Sequence, residues 1–94
     1  MLPKSYCLLG HTVTVKVVPG ADWAHPDCVG LYEPHRHRIL IRGDLSESLQ
    51  QHTLYHEMVH SWLSAMSHDL NEDEKFVDML GGLIHQAMTT AKFK

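Results

Sequence analysis

The stretch His56-Glu57-Met58-Val59-His60 has the residue types and the spacing for metal chemistry. It lies inside residues 45–66, a run with no glycine or proline, so a helix is the expected conformation. Histidines four residues apart stand one above the other on a helix face, where both imidazoles can grip one ion. Glu57, rotated by about 100° from His56, can then reach a water held by that ion. Two imidazoles do not complete such a site. A catalytic zinc ion takes three protein ligands and keeps one position open, so a third ligand must come from elsewhere in the chain.

Glu74 is the best third ligand. Asp78 follows it by four residues, on the same helical face, and can accept a hydrogen bond from the far nitrogen of a metal-bound imidazole. Such a partner fixes the tautomer of the ring and raises its basicity. Two other readings compete. Asn71-x-x-Glu74 is a capping box, in which Glu74 satisfies the first amides of a helix instead. Glu72 is also acidic but has no acidic residue four positions later. Behind an H-E-x-x-H helix, the ligand role for Glu74 is the stronger reading.

The remaining histidines fit a metal site less well. His68 follows His60 by eight residues, whereas the third histidine of a metzincin follows by six, a place held here by Met66. His85 lies eleven residues beyond Glu74, about 16 Å along a helix axis, and is expected at solvent or against a partner. His52 is one turn before His56 and is expected at the surface or the rim of the cleft. His35 and His37 flank Arg36 in an expected exposed turn, and His11 and His25 carry no signal.

These side chains need a scaffold. Residues 1–10 read as a lead-in ending at Gly10. Residues 12–18 alternate valines with threonine and lysine, as a half-buried strand does, and Pro19-Gly20 ends it. Residues 21–27 form a loop packed down by Trp23. Residues 29–33 give a second strand, in which Gly30 marks a bulge or a close backbone approach. Residues 38–42 give a third, after a turn at 34–36. A helix begins near residues 44–47, with Asp44 or Ser46 as its cap, and ends near 67–69. Asn71 opens a second helix over residues 72–90, whose buried stripe is Phe76, Val77, Leu80, Leu83, Ile84, Ala87 and Met88. Gly81-Gly82 inside it costs about 1 kcal/mol per glycine relative to alanine, and close approach to the first helix is the expected compensation. The expected fold is α+β: a small three-stranded antiparallel or mixed sheet followed by two packed helices, in one domain over residues 1–94.

Composition narrows the function classes. The 44% hydrophobic and 20% charged content belongs to a globular protein, and the net charge of −3 gives no reason to expect nucleic acid or an acidic membrane as a partner. The apolar runs fall short of the roughly 20 residues of a membrane helix, and the first residues lack a signal pattern, so the cytoplasm is the expected location. Cys7 and Cys28 are too few for a zinc ribbon and are expected as free thiols. For a chain of 94 residues, one bound metal ion would add to a small core's stability.

His56-Glu57-x-x-His60 with Glu74-x-x-x-Asp78 resembles a gluzincin, the metallopeptidase group that includes thermolysin. Over about the last two-thirds of the chain the layout is closer to the short phage-encoded metallopeptidases of the ImmA/IrrE type. The residues concerned are Gly30-Leu31-Tyr32, Arg38-Ile39-Leu40-Ile41, Leu54-Tyr55 running into the motif, and Glu74-Lys75-Phe76-Val77-Asp78-Met79-Leu80-Gly81. In that family a few strands precede the motif helix and a second helix brings the glutamate, a minimal zincin-like core. Lys75-Phe76-Val77 stands where an alanine-rich segment often follows the glutamate, and no extra domain for selecting a substrate is evident. SprT-like proteases share the H-E-M-x-H helix but use a histidine where this chain offers Glu74, and rank second.

The resemblance implies a zinc-dependent hydrolase acting on a peptide or protein, such as a repressor or other regulator, in the cytoplasm of a bacterial host. Its expected parts are one Zn2+ on His56, His60 and Glu74, Glu57 as the catalytic base, and Asp78 orienting a ligand. If the third strand is a sheet edge along the cleft, a substrate could add to it as a strand, which makes Arg38, Ile39, Leu40 and Ile41 the expected substrate-binding segment. The sequence identifies no oxyanion donor: Tyr32, Tyr55 and His52 are candidates, and a structural role is the stronger reading of each. Two other classes stand beside the enzyme: a zinc-stabilised module that binds peptides without turnover, and a metal-free helical domain.

Overall fold

The computed structural model describes residues 2–94. Four strands and two helices follow one another: β1 (Ser5–Leu8), β2 (His11–Val18), β3 (Gly30–Glu33), β4 (Arg38–Arg42), α1 (Glu47–Ala65) and α2 (Glu74–Thr90). The sheet has the order β1-β2-β4-β3. β1 pairs with β2 and β3 with β4 antiparallel, while β2 and β4 run parallel, so the sheet is mixed. The class is α+β as expected, with four strands rather than three.

The additional strand, β1, falls in the expected lead-in. Its hairpin to β2 turns at Leu9-Gly10, both at positive φ (47° and 85°), the backbone that a two-residue hairpin with right-handed strand twist requires. Glycine advertises such a turn; leucine in the first position hides it.

β4 is not an edge. It lies between β2 and β3, and Ile39, Leu40 and Ile41 are buried. The expected substrate-binding role of Arg38, Ile39, Leu40 and Ile41 is therefore corrected: both sides of their backbone are already paired. Val13, Ile39, Ile41 and Leu54 form the core between the sheet and α1. Each such side chain contributes about 1.5–3 kcal/mol by leaving water. Ser61 is buried there as well, donating to the Met58 carbonyl and bonded at 2.7 Å to the Tyr6 hydroxyl.

Ser46, not Asp44, caps α1, accepting from the Leu49 amide; Asp44 pairs with Arg42 instead. At the far end Ser67, at φ 51°, closes the helix. Its amide bonds to Ser64 and that of His68 to Leu63, the paired reversal bonds of a left-handed helix stop. A 3-10 turn at Asp69–Glu72 then leads into α2.

α2 starts two residues later than expected. Its cap is Asp73, which accepts from the Phe76 amide, so Asn71 is not a cap and Glu74 is released from the capping-box role. The buried stripe is also narrower. Val77 is fully buried and Phe76, Leu80 and Ile84 half-buried, whereas Leu83, Ala87 and Met88 are exposed. α2 packs on α1 and the 3-10 turn, which leaves its far side open to water. A Cβ on Gly81 would stand 3.0 Å from the His56 Cα and N, so the backbones of the two helices touch there. No helix among the described residues is long and apolar enough to cross a membrane.

Candidate metal centre

α1 and α2 pass antiparallel, bringing His60 to the start of α2 and His56 beside Gly81. His56 Nε2 lies 3.3 Å from one oxygen of Glu74, and His60 Nε2 lies 3.1 Å from the other. The three ligand atoms all fall within 4.8 Å of one another. Ions bound tetrahedrally at about 2.0–2.1 Å hold neighbouring ligand atoms about 3.3 Å apart, so the spacing suits zinc.

The far nitrogens decide the chemistry of this group. His56 Nδ1 lies 3.1 Å from Asp78 Oδ1, and His60 Nδ1 lies 2.8 Å from Asn71 Oδ1. Both partners are acceptors, so each Nδ1 carries a proton. In a neutral imidazole the other nitrogen is then bare. With both rings neutral, two lone pairs would face the Glu74 carboxylate at close range and repel it; a proton on each Nε2 or a cation between them relieves the contact. The donor set fits a zinc ion on both geometry and chemistry.

Glu57 points from the same turn of α1 toward the sheet edge and is only 8% exposed. Burial pushes its carboxyl above the ordinary glutamate range. The neighbouring His56 and His60 pull the other way, Glu74 pushes it up again, and the Tyr32 amide donates to it and pulls it down. A half-desolvated carboxylate with one fixed donor is suited to accepting a proton from water.

That Tyr32 amide belongs to β3, the edge strand on this side of the sheet. The Arg42 amide bonds to the Val29 carbonyl, and the register pairs Leu31 with Leu40. In an antiparallel ladder the alternate residues, Gly30 and Tyr32, then turn their backbone groups outward. Gly30 is obligatory at this point. A Cβ there would stand 2.3 Å from Thr53 Cγ2 and 3.3 Å from Glu57 Cγ.

The outward face of β3, the motif helix and the start of α2 enclose a cleft of about 530 Å3, with Tyr32, Ser64, Asn71 and Glu74 in its wall. A second cavity of about 390 Å3 lies across His56 and Glu57, walled by Val29, Leu49, His52 and Thr53. Cys28 lines both and is a free thiol, whose pKa is raised chiefly by burial. The loop carrying it is pinned by Trp23, whose ring N–H donates to the carbonyls of His25 and Cys28.

No protein-family model, curated protein or solved structure matches the chain. The meaning of the cleft therefore rests on its donors and their surroundings.

The structure gathers Glu57, His56, His60, Glu74 and Asp78 and leaves Arg38, Ile39, Leu40 and Ile41 outside. Of the three tyrosine and histidine candidates for an oxyanion donor, Tyr32 lines the main cleft. Tyr55 stacks on His85 and His52 hydrogen-bonds Asp78. His85 is not at solvent: it is half-buried and bonded to Gln51. His37 is half-buried too, stacked on His11 at 4.6 Å. Sequence reasoning missed Asn71 as the partner of His60, because the capping box gave its side chain another use. It also missed β3 as the cleft edge, for which Gly30 was the one available signal.

Proposed function

We propose that this cleft binds one zinc ion through His56, His60 and Glu74 and hydrolyses a peptide bond of a peptide or protein substrate. The observation that carries the reading is the convergence of two imidazole Nε2 atoms and a carboxylate beside a buried glutamate that accepts from the sheet edge. Zinc bound there would polarise the scissile carbonyl and make water acidic enough to ionise near neutral pH.

The chain's own residues do the rest. Asp78 and Asn71 hold the two rings with Nδ1 protonated, so that each Nε2 is presented as a ligand. Glu57 takes a proton from the attacking water and delivers it to the departing amine. The outward carbonyls of Gly30 and Tyr32 offer acceptors to a substrate backbone laid along β3, which replaces β4 by β3 as the docking strand. A regulatory protein such as a repressor is the substrate type suggested by the likeness to short phage-encoded metallopeptidases, with the cytoplasm as the setting.

Two measurements test the reading. Elemental analysis of tag-free protein purified without added metal is expected to give close to one zinc per chain. No zinc, and none taken up on titration by folded protein, overturns the proposal. With zinc in place, Glu57→Gln is expected to lower peptide turnover about 10²–10⁴-fold and to keep its metal. A Glu57→Gln chain that still serves its partner identifies a zinc-stabilised binding module instead.

A further inference from the structure

Asp78 has two partners, and only one of them is a metal ligand in the proposed site. His52 Nε2 lies 3.1 Å from the same Asp78 Oδ1 that faces His56 Nδ1 at 3.1 Å. One turn of α1 separates the two histidines, so both rings lean toward α2 from the same face and trap a single oxygen between them. The Asp78 side chain is 61% exposed. A carboxylate so open to water, held by one hydrogen bond, would swing among its rotamers and leave His56 for much of the time.

His52 is itself held. A Cβ on Gly82 would stand 3.3 Å from His52 Cε1, so the second glycine of the pair leaves the space that the ring fills. On another side His52 meets the edge of His85 at 5.9 Å between ring centres. His85 in turn stacks on Tyr55 and lies 3.2 Å from Gln51 Oε1. The chain of contacts runs from Gln51 and Tyr55 through His85 to His52, then through Asp78 to His56. Neither glycine is idle: Gly81 lets the helices touch at His56, and Gly82 admits the ring that steadies Asp78.

We infer that His52 is a positioning residue, which acts through Asp78 to hold His56 in the orientation that ligates metal. The inference rests on the zinc reading of the cleft. It assigns His52 to the metal centre without contact to the metal, to Glu57's proton or to the ring of His56. Its sign is definite: the N–H of His52 adds to metal affinity only while Asp78 is a carboxylate that His56 also uses.

The test is zinc affinity, measured on the full chain by competition with a chromogenic chelator. Loss of a group supporting a metal ligand costs about tenfold or more in affinity. His52→Phe, which fills the space and keeps an aromatic edge against His85 but has no donor, is expected to weaken zinc binding about tenfold. His52→Gln, whose amide places an N–H near the same point, is expected to restore most of that loss. In an Asp78→Asn background, His52→Phe is expected to cost nothing further. Thermal unfolding in chelator checks that each variant folds, and His52→Leu serves the same comparison should the phenylalanine chain not fold.

Zinc affinity equal to the parent's in His52→Phe overturns the inference while leaving the metal centre intact. Additive losses from His52→Phe and Asp78→Asn overturn it as well, because a residue that acts through Asp78 has nothing left to lose once the carboxylate is gone. A parent chain that takes up no zinc removes the metal centre and this role together.

Discussion

The face of α1 that meets the sheet and the face that meets α2 are held by different forces. On the sheet side Leu54 joins Val13, Ile39 and Ile41 in a dry, fully buried cluster. On the other side His52, His56 and His60 face Glu74 and Asp78, whose side chains are 68% and 61% exposed. The two helices touch closely at Gly81 and share a second, smaller cluster of Val59, Leu63 and Val77. Burial chiefly specifies the first face, with the Tyr6–Ser61 hydrogen bond inside it. The second is a polar seam in which two imidazole nitrogens meet a carboxylate, and on the proposed zinc reading its stability is expected to depend on metal. Glu57 stands at the boundary, anchored to β3 on the dry side and open to the cleft on the other.

If the proposed zinc is bound, metal removal is expected to be the largest single perturbation. Zinc at a thousand times its dissociation constant stabilises a folded chain by about 4 kcal/mol, and chelation is expected to withdraw all of it. Thermal unfolding with and without chelator reads the effect. An unchanged midpoint, in protein shown to carry zinc, would mean that the polar seam is as self-sufficient as the sheet side.

The next two perturbations separate the faces. Leu54→Ala leaves a cavity under the sheet and is expected to cost about 3 kcal/mol, by the same amount with zinc or with chelator. Gly81→Ala is expected to cost about 1–3 kcal/mol, because backbone atoms of His56 lie 3.0 Å from the new methyl and cannot rotate aside. Its cost should come with weaker zinc binding, since the methyl displaces α2 and with it Glu74 and Asp78. Equal zinc affinity in the two variants would break the distinction.

What could be read from the sequence follows the same line. The helices, the strand at 38–42 and the residues that meet at the cleft were legible because helical spacing fixes which side chains share a face. Strand order was not. Whether residues 29–33 or 38–42 form the edge depends on a parallel pairing of β2 with β4 across 19 intervening residues, from Pro19 to His37, and no local pattern encodes that. β1 was hidden by a leucine in a glycine-like turn. Asn71 and Asp73 both had the chemistry of a helix cap, and only the 3-10 turn at Asp69–Glu72 decides between them. His52 looked like a surface histidine because its partner lies on another helix.

The smallest effect tests whether the outer rim of the sheet side owes anything to charge. Glu33 and Arg38 face each other across β3 and β4, joined by a hydrogen bond from the guanidinium to the carboxylate. That bond and the guanidinium charge hold the Glu33 carboxyl below its ordinary value of 4.5. A carboxyl lowered in the folded state stabilises the fold above the unfolded value and loses that contribution as pH falls through the folded one. Both side chains remain partly exposed, 25% for Glu33 and 30% for Arg38, so the pair is worth about 1 kcal/mol at most. Glu33→Gln should therefore unfold slightly more easily than the parent at about pH 6, and the gap should close at acid pH, as pH falls through the parent's lowered folded value. Urea unfolding of both chains at both pH values, each without metal, measures it, because the histidine seam is common to the two and cancels in the difference. A gap that persisted at low pH would assign the pair's effect to packing of the Arg38 stem, leaving the sheet side wholly a matter of burial.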